Sequence, residues 1–252
     1  MKFRDRIKRG ETVFGTWCMM PSATVAEVIA QSGLDFIILD MEHGSMSYET
    51  VEAQVKAIQF NGCQPIIRVG SDDENTILRA LETGCQSIMV PHVSDKTKAE
   101  KIVQFAKYRP AGSRGLSPYT ACHKYDHTEL SQSLKLNNEY TSIGVLVEGS
   151  DGIANIEDIC SVNELDIIYL GMYDISQSLG HPGELDHPEV ISKLESCVEI
   201  ISQSGKCPGI FVQNIDSAAK FKTLGFRFIA YVADSYALKK YYKDKVNEFT
   251  NK

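Results

Sequence analysis

The chain has 252 residues, 43% of them hydrophobic, which is enough material for one large core. Its formal net charge of −7 argues against a general nucleic-acid or anionic-membrane surface, because phosphate groups attract basic patches. Residues 1–13 lack the apolar centre of a signal peptide, and no segment approaches the roughly 20 apolar residues of a membrane span. We therefore expect a cytoplasmic protein in which residues 1–252 form a single domain.

Seven cysteines are scattered along the chain, and their spacing matches neither a CxxC motif nor a Cys/His metal site. Most of them lie in or beside apolar segments, so we interpret them as small hydrophobic side chains in a reducing compartment. A disulfide or a zinc site is the alternative interpretation. The cysteines are Cys18, Cys63, Cys85, Cys122, Cys160, Cys197 and Cys207.

Eight short apolar runs alternate with segments of helical spacing along the whole chain. Because the runs lack strict alternation, they predict strands that are buried on both faces. Repeated strand–helix units of this length give a parallel sheet, and eight of them favour a closed (β/α)8 barrel over an open sheet. The predicted strands are residues 14–20, 35–42, 64–70, 87–93, 141–149, 166–174, 207–212 and 227–233.

Helix start signals stand between these runs. Small polar residues that can cap a helix precede four of the helical patterns, and two further helices are expected at about 214–223 and 234–248. The predicted caps are Ser22, Ser47, Asp72 or Asp73, and Ser94 or Asp95.

Two stretches interrupt the alternation of strands and helices. Residues 108–138 and 175–187 carry Gly, Pro and aromatic residues and are long for loops. We predict that both follow strands, on the face where barrel enzymes keep their active sites.

Polar residues cluster where the predicted strands end. A barrel brings the carboxyl ends of its strands to one mouth, so these side chains are expected to converge. The alternative is that each is a structural residue that forms an ion pair or caps a helix. The residues are Asp40, Glu42 and His43 after strand two, Arg68 after strand three, Glu148 after strand five, and Asp174 after strand six.

Glu148 and Asp174 suggest a metal site. Two carboxylates on neighbouring strands repel each other unless a cation or a proton lies between them. Oxygen ligands without a nearby cysteine suit a hard divalent ion such as Mg²⁺ or Mn²⁺, which could polarise a 2-oxo acid and stabilise an enolate.

Arg68 and His43 complete this predicted chemistry. Arg68 would donate to the enolate oxygen, or alternatively pair with a carboxylate, and His43 is suited to carry protons near neutral pH. His92 also ends a strand and is a weaker candidate. We expect Glu42 to point away from the mouth, because alternate strand residues face opposite sides.

The chain offers no lysine inside the predicted barrel for a Schiff base. Its lysines fall in predicted helices, loops or termini, and Lys206 precedes strand seven, at the wrong end. Carbonyl chemistry at this mouth would therefore have to be assisted by a metal.

An ordered set of motifs runs from about residue 10 to 240: LDMEHG, PIIRV, ALETGCQSIMVPHV, YRPAGSRG, VLVEG, YLGMYDIS, HPGELDHPEV and SGKCPGIF. In these motifs the sequence resembles the HpcH/HpaI aldolase family. This resemblance implies a (β/α)8 barrel whose last helix is swapped between subunits of a homotrimer or homohexamer. It also implies reversible cleavage of a 4-hydroxy-2-oxo acid into pyruvate and an aldehyde, with Mg²⁺, Mn²⁺ or Co²⁺ as cofactor.

The resemblance also implies roles for individual residues. Glu148 and Asp174 would bind the metal, and Asp40 would hold a water molecule there. Arg68 would bind the substrate's keto or enolate oxygen. His43 would transfer protons together with an acid from a neighbouring subunit, which at this position is Glu82.

Three segments depart from the family pattern. Leu146 replaces a common glutamine, and a Gly-Pro-Ala-Asp segment reads Gly171, Met172, Tyr173, Asp174. The backbone of this segment would cradle the substrate carboxylate, and we expect its two bulky side chains to crowd the mouth. The segment LSPYTACHKY is also unusual, and Tyr119 and His123 together with Tyr173 are predicted to reshape the substrate pocket.

Two other functions remain open from the sequence. One is another enolate-forming lyase that acts on a CoA thioester, although such enzymes usually carry additional C-terminal sequence. The other is a barrel that binds a 2-oxo acid without turning it over, which the changes at Leu146 and at Met172–Tyr173 would favour. The sequence does not identify the aldehyde or the metal.

Overall fold

The computed structural model describes residues 2–251 and contains eight parallel strands closed into a barrel, each strand paired with its neighbours in chain order. The predicted (β/α)8 barrel is confirmed. The strands are β1 (Val13–Cys18), β2 (Phe36–Asp40), β3 (Gln64–Arg68), β4 (Ser87–Val90), β5 (Ser142–Val147), β6 (Ile167–Leu170), β7 (Cys207–Val212) and β8 (Phe228–Ala233).

Helices surround the barrel, and none of those described is long and apolar enough to cross a membrane. The helices are α1 (Phe3–Lys8), α2 (Ala23–Ala30), α3 (Tyr48–Phe60), α4 (Glu74–Glu82), α5 (Lys96–Ala106), α6 (Leu130–Tyr140), α7 (Gly149–Ala154), α8 (Ile156–Cys160), α9 (Met172–Ser178), α10 (Pro188–Gln203), α11 (Ile215–Thr223) and α12 (Asp234–Thr250).

Side-chain caps start four of these helices where the sequence predicts them. Ser22, Ser47, Asp73 and Asp95 each accept a hydrogen bond from the backbone N–H three residues later. Such a bond satisfies one of the N–H groups that the first turn of a helix leaves free. Asp73, not Asp72, therefore caps α4, and Asp95, not Ser94, caps α5.

The core has an outer and an inner part. The outer part lies between strands and helices, and six of the seven cysteines are buried in the molecule as small hydrophobic side chains. The inner part fills the barrel, and Phe3 and Ile7 of α1 belong to it. Helix α1 therefore closes the end of the barrel opposite the mouth, where Arg4 donates to Asp166 at 2.9 Å.

The stretch 108–138 differs from the prediction. It follows helix α5 instead of a strand, so it lies at the end of the barrel opposite the mouth, and it includes most of α6. The polar sequence of α6, LSQSLKLNNEY, hides its helical character. Residues 175–187 do follow strand β6, but α9 occupies the first of them.

Helix α12 packs little against its own barrel. Only Asp234, at its start, is buried. Six large apolar side chains along the helix are exposed, which is unusual for the last helix of a barrel. They are Tyr236, Leu238, Tyr241, Tyr242, Val246 and Phe249.

Candidate active site

Asp40 and Arg68 form an ion pair at the mouth of the barrel. They are the last residues of β2 and β3 and stand side by side in the register of the two strands. Arg68 Nε donates to Asp40 Oδ1 at 2.9 Å, and Arg68 Nη2 donates to Asp40 Oδ2. Asp40 is 1% exposed, so the guanidinium is held by a buried carboxylate through two charge-assisted hydrogen bonds.

Glu42 also binds Arg68, which overturns the expectation that it points away. Its Oε2 lies 3.1 Å from Arg68 Nη1. Strand β2 ends at Asp40, and the chain then turns so that the backbone N–H groups of Glu42 and His43 both donate to Asp40 Oδ1. The alternation of a strand no longer applies beyond that turn.

Trp17 supports Arg68 from inside the barrel. The guanidinium carbon of Arg68 lies 4.4 Å from the centre of the Trp17 ring. Trp17 Nε1 donates to Tyr169 Oη at 3.3 Å, and burial raises the pKa of that phenol. Leu146 belongs to the same inner cluster, so an apolar contact occupies the position where the family pattern has a glutamine.

Glu148 and Asp174 converge on Gly171. A Cβ atom built on Gly171 would lie 3.4 Å from Glu148 Oε2 and 3.5 Å from Asp174 Oδ2. It would also lie 2.9 Å from Glu148 Cβ, so only glycine leaves this space open. Glu148 directly follows β5, whereas Asp174 lies in the first turn of α9 and not at the end of β6. Two carboxylate oxygens around an open space are donors that fit a hard divalent cation.

His92 joins two acids of the site, and the sequence ranked it too low. Its Nε2 lies 2.9 Å from Glu42 Oε1, and its Nδ1 lies 2.9 Å from Glu148 Oε1. Its backbone N–H donates to the same Glu148 oxygen at 2.9 Å, which leaves Glu148 Oε2 directed toward Gly171. The backbone of His92 has φ of +56°, which few non-glycine residues adopt. Its place two residues after the end of β4 is the signal that could have identified it.

His43 and Glu82 are not brought together within one chain. His43 is exposed, and its hydrogen bond in the described chain is the backbone contact to Asp40. Glu82 ends helix α4, at the far end of the barrel, where its Oε1 accepts from Arg114 Nη2 at 2.7 Å. The two residues can cooperate only between subunits.

Met172 does not crowd the mouth as expected, whereas Tyr173 lies beside it. The side chain of Met172 is 4% exposed and packs in the outer core. Tyr173 is 46% exposed, and its hydroxyl contacts the amide of Gln213, the first residue after the carboxyl end of β7. Its ring centre lies 6.5 Å from that of Phe211 in the same strand. Only the backbone of Met172 thus remains for the substrate contact that the sequence suggested.

Tyr119 and His123 lie away from the mouth of their own barrel. His123 is buried between Tyr108 and Ser133, with its ring nitrogens 2.9 Å and 2.7 Å from their hydroxyl oxygens. Burial lowers the pKa of His123. A cavity of about 430 Å³ lies beside it, lined also by Lys2, and belongs to the closed end of the barrel.

The fold is a (β/α)8 barrel. Polar side chains from β2, from β3, from the residue after β5 and from α9 meet at its mouth, where enzymes of this fold have their active sites. A family model described as HpcH/HpaI aldolase/citrate lyase matches residues 14–239. The chain belongs to this family.

Known proteins support this assignment over nearly the whole length. A 4-hydroxy-2-oxo-heptane-1,7-dioate aldolase of Klebsiella pneumoniae is 31% identical, over 92% of this chain and 88% of the relative. A hydroxypyruvate/pyruvate aldolase of Pseudomonas aeruginosa is 30% identical, over 98% and 92%. The crystal structure of a family member from Burkholderia cenocepacia is 26% identical, covers 98% of both chains and superposes with a TM-score of 0.92. The protein is thus a carbon–carbon lyase, an aldolase of this family.

Proposed function

We propose that the protein is a metal-dependent aldolase that reversibly cleaves a 4-hydroxy-2-oxo acid into pyruvate and an aldehyde. The observation that carries the proposal is the convergence of Glu148 Oε2 and Asp174 Oδ2 on the space above Gly171. Two carboxylates that face one open space repel each other unless a cation or a proton lies between them. The aldolase relatives support the reaction class.

Glu148 and Asp174 would hold the cation, and Mg²⁺, Mn²⁺ and Co²⁺ all accept such oxygen donors. When bound, the cation supplies Lewis acidity to the keto group of the substrate. His92 keeps Oε1 of Glu148 occupied and Oε2 free, so it positions this ligand. The backbone from Gly171 to Asp174 would contact the substrate carboxylate.

Arg68 would bind the oxygen on which charge develops. Three of its five N–H groups are used by Asp40 and Glu42, which leaves one on each terminal nitrogen. These two can donate to the keto oxygen and, more strongly, to the enolate oxygen. In this arrangement Asp40 acts by orienting Arg68, in addition to the water contact that the family resemblance implies.

Proton transfer would fall to His43. In the cleavage direction a base removes the proton of the C4 hydroxyl, the C3–C4 bond breaks, and its electron pair enters the C2–C3 enolate. Protonation at C3 then yields pyruvate, and C4 leaves as the aldehyde. Glu82 of a neighbouring subunit would pair with His43, which requires an oligomer.

The exposed face of α12 supports such an assembly. Its six apolar side chains suit a second copy of the chain, whose barrel would receive the helix in an exchange between subunits. A homotrimer or a homohexamer is the expected state.

Pyruvate release from a panel of 4-hydroxy-2-oxo acids tests the proposal. We expect release that depends on Mg²⁺, Mn²⁺ or Co²⁺, stops with a chelator, and falls at least about 100-fold in Glu148→Gln. Glu100→Gln, an exposed residue of α5, is the matched control and should retain full activity.

Release that persists with chelator and in Glu148→Gln would disprove metal dependence. No release from any acid, with the metal shown to bind by titration calorimetry, would disprove the aldolase activity and favour a barrel that only binds 2-oxo acids.

A further inference from the structure

The loop between α9 and α10 carries a second cluster of potential metal ligands. One ligand atom each of His181, Glu184 and His187 lie within 4.8 Å of one another. Within residues 2–251, no other group of three or more His, Cys, Asp or Glu side chains comes this close together. It is separate from Glu148 and Asp174, and the proposed aldolase reaction does not use it.

The two histidine rings face each other. Their centres are 3.4 Å apart, and their planes differ by 20°. Donor atoms around a tetrahedral zinc ion are about 3.3 Å apart, given bonds of about 2.0 Å. The ligand atoms of the cluster lie within 4.8 Å of one another. Because imidazole lone pairs lie in the ring plane, the stacked rings have to turn about their side-chain bonds before both nitrogens point at one ion. Glu184 is exposed, so rotation of its side chain can bring a carboxylate oxygen to the same ion.

Glu189 adds an acid next to His181. Its Oε2 lies 3.0 Å from His181 Nε2. If the ion takes Nδ1 of His181, this carboxylate orients the ring in the way that acids support metal-binding histidines. If the ion takes Nε2, the same carboxylate is near enough to be a fourth donor. The backbone N–H of Glu189 also donates to His187 Nδ1 at 3.3 Å, a long bond that coordination can replace.

We propose that His181, Glu184 and His187 form a binding site for a borderline transition-metal ion of the zinc class. Two imidazoles and a carboxylate prefer Zn²⁺, Co²⁺, Ni²⁺ or Cu²⁺ over Mg²⁺, which favours oxygen donors. The site therefore differs in selectivity from the oxygen-only pair at the mouth.

An ion at this site would join the end of α9 to the start of α10. The loop already depends on Ser176 of α9, whose carbonyl accepts from His181 N–H at 2.8 Å and whose hydroxyl accepts from Gly183 N–H at 3.0 Å. Ser176 lies two residues after Asp174 on the same helix. The ion would thus stabilise the segment that carries one of the acids of the mouth.

Cobalt absorption tests the proposal, because tetrahedral Co²⁺ absorbs visible light far more strongly than octahedral Co²⁺ on oxygen ligands. The metal-free protein is first given an excess of Mg²⁺ to fill the mouth and is then titrated with Co²⁺. We expect the intense bands of a tetrahedral site at one equivalent, displaced by Zn²⁺. Glu148→Gln should keep these bands.

The variant His181→Gln/His187→Asn should lose the bands and bind Zn²⁺ at least about 10-fold more weakly in competition with a chromophoric chelator. Asparagine keeps the ability to cap α10. His127→Gln, which removes an exposed histidine outside the cluster, is the control and should keep both properties.

Wild-type protein without tetrahedral bands, or bands that persist in the double variant, would overturn the proposal. Unfolding curves of the metal-free proteins establish that the double variant is folded. In addition, Zn²⁺ should raise the Tm of the wild type and of His127→Gln but not that of the double variant.

Discussion

The guanidinium of Arg68 rests on the indole ring of Trp17, 4.4 Å from the ring centre, at the boundary between the barrel interior and its mouth. A contact of this kind contributes about 1 kcal/mol. Asp40 and Glu42 hold the edges of the same guanidinium, so Trp17 fixes the one direction that the acids leave free.

Replacing Trp17 should therefore weaken substrate binding. We expect Trp17→Leu to raise KM for the 2-oxo acid about 5- to 10-fold, whereas Trp17→Phe keeps an aromatic face and should lose less. Trp17 is the chain's single tryptophan, so its fluorescence should also change when pyruvate binds to the metal-loaded protein. Equal KM values in the two variants would show that the ring does not position Arg68.

Gly171→Ala should weaken metal binding without unfolding the barrel. The added Cβ would lie between the carboxylates of Glu148 and Asp174 and 2.9 Å from Glu148 Cβ. Titration calorimetry with Mn²⁺ should show affinity reduced at least about 10-fold. Gly115→Ala is the matched control, because its Cβ would meet only the side chain of Leu78, at 3.4 Å. Unchanged Mn²⁺ affinity in Gly171→Ala would contradict the proposed metal position.

The backbone of His92 predicts an unusual order of stabilities. Its φ of +56° is tolerated by asparagine but strained for a β-branched residue. In urea unfolding, His92→Val should lose about 1–2 kcal/mol more than His92→Asn. Both variants lose the imidazole contacts to Glu42 and Glu148, so metal affinity should fall in both. If the two variants are equally stable, the backbone strain is not present.

Lys107 should make stability rise with pH under alkaline conditions. This lysine is fully buried, and burial lowers its pKa to about 8. Between pH 8 and the ordinary value of 10.5 the unfolded chain holds a proton that the folded chain lacks, so raising the pH favours folding. Above pH 10.5 the lysine is neutral in both states and its burial carries no charge penalty. As the pH falls to about 8, the unfolded chain gains the proton first, and the stability of the folded protein decreases.

The measurement is the free energy of unfolding in urea between pH 7 and 10.5, compared between wild type and Lys107→Met. The difference should move in favour of the wild type by on the order of 2 kcal/mol over this range. Cysteine ionisation affects both proteins alike and cancels. A difference independent of pH would show that Lys107 keeps its ordinary pKa.

Charge on the exposed face of α12 should prevent the proposed assembly of subunits. Tyr242→Asp and Phe249→Asp place a carboxylate where a second copy would bury an aromatic ring. Light scattering should find the wild type at a multiple of 28.0 kDa and each variant at the monomer mass. Asn247→Asp, an exposed polar residue of the same helix, should leave the mass unchanged. A monomeric wild type would disprove the exchange.

The sequence predicts those parts of the molecule that local signals determine. The caps Ser22 and Ser47 depend on residues a few positions apart and were predicted correctly. Asp40 and Arg68 were likewise placed at the carboxyl ends of their strands, although β2 and β3 each end two residues earlier than predicted. The orientation of Glu42 was not predictable from the alternation of side chains along a strand, because the chain turns directly after Asp40.

Other features depend on contacts between distant parts of the chain. The positive φ of His92 is held by its bonds to Glu42 and Glu148, which are 50 and 56 positions away. Helix α6 has few apolar residues, and Asn137 is the one buried residue in it, so its helical spacing is weak. Tyr119 was predicted at the mouth because its segment was expected to follow a strand. The segment follows helix α5, so Tyr119 lies at the opposite end of the barrel.

The pairing of the first strand with the last has a consequence for synthesis. Strand β1 pairs with its second neighbour only after β8, which ends at Ala233, has been synthesised. Arg4 likewise has no Asp166 to bind until residue 166 has been added to the chain. While the ribosome is still adding residues, Phe3, Ile7 and the free edge of β1 therefore remain uncovered. An unfinished chain of this kind is a substrate for chaperones, and a message truncated before β8 would yield an open, aggregation-prone sheet in place of a smaller working enzyme.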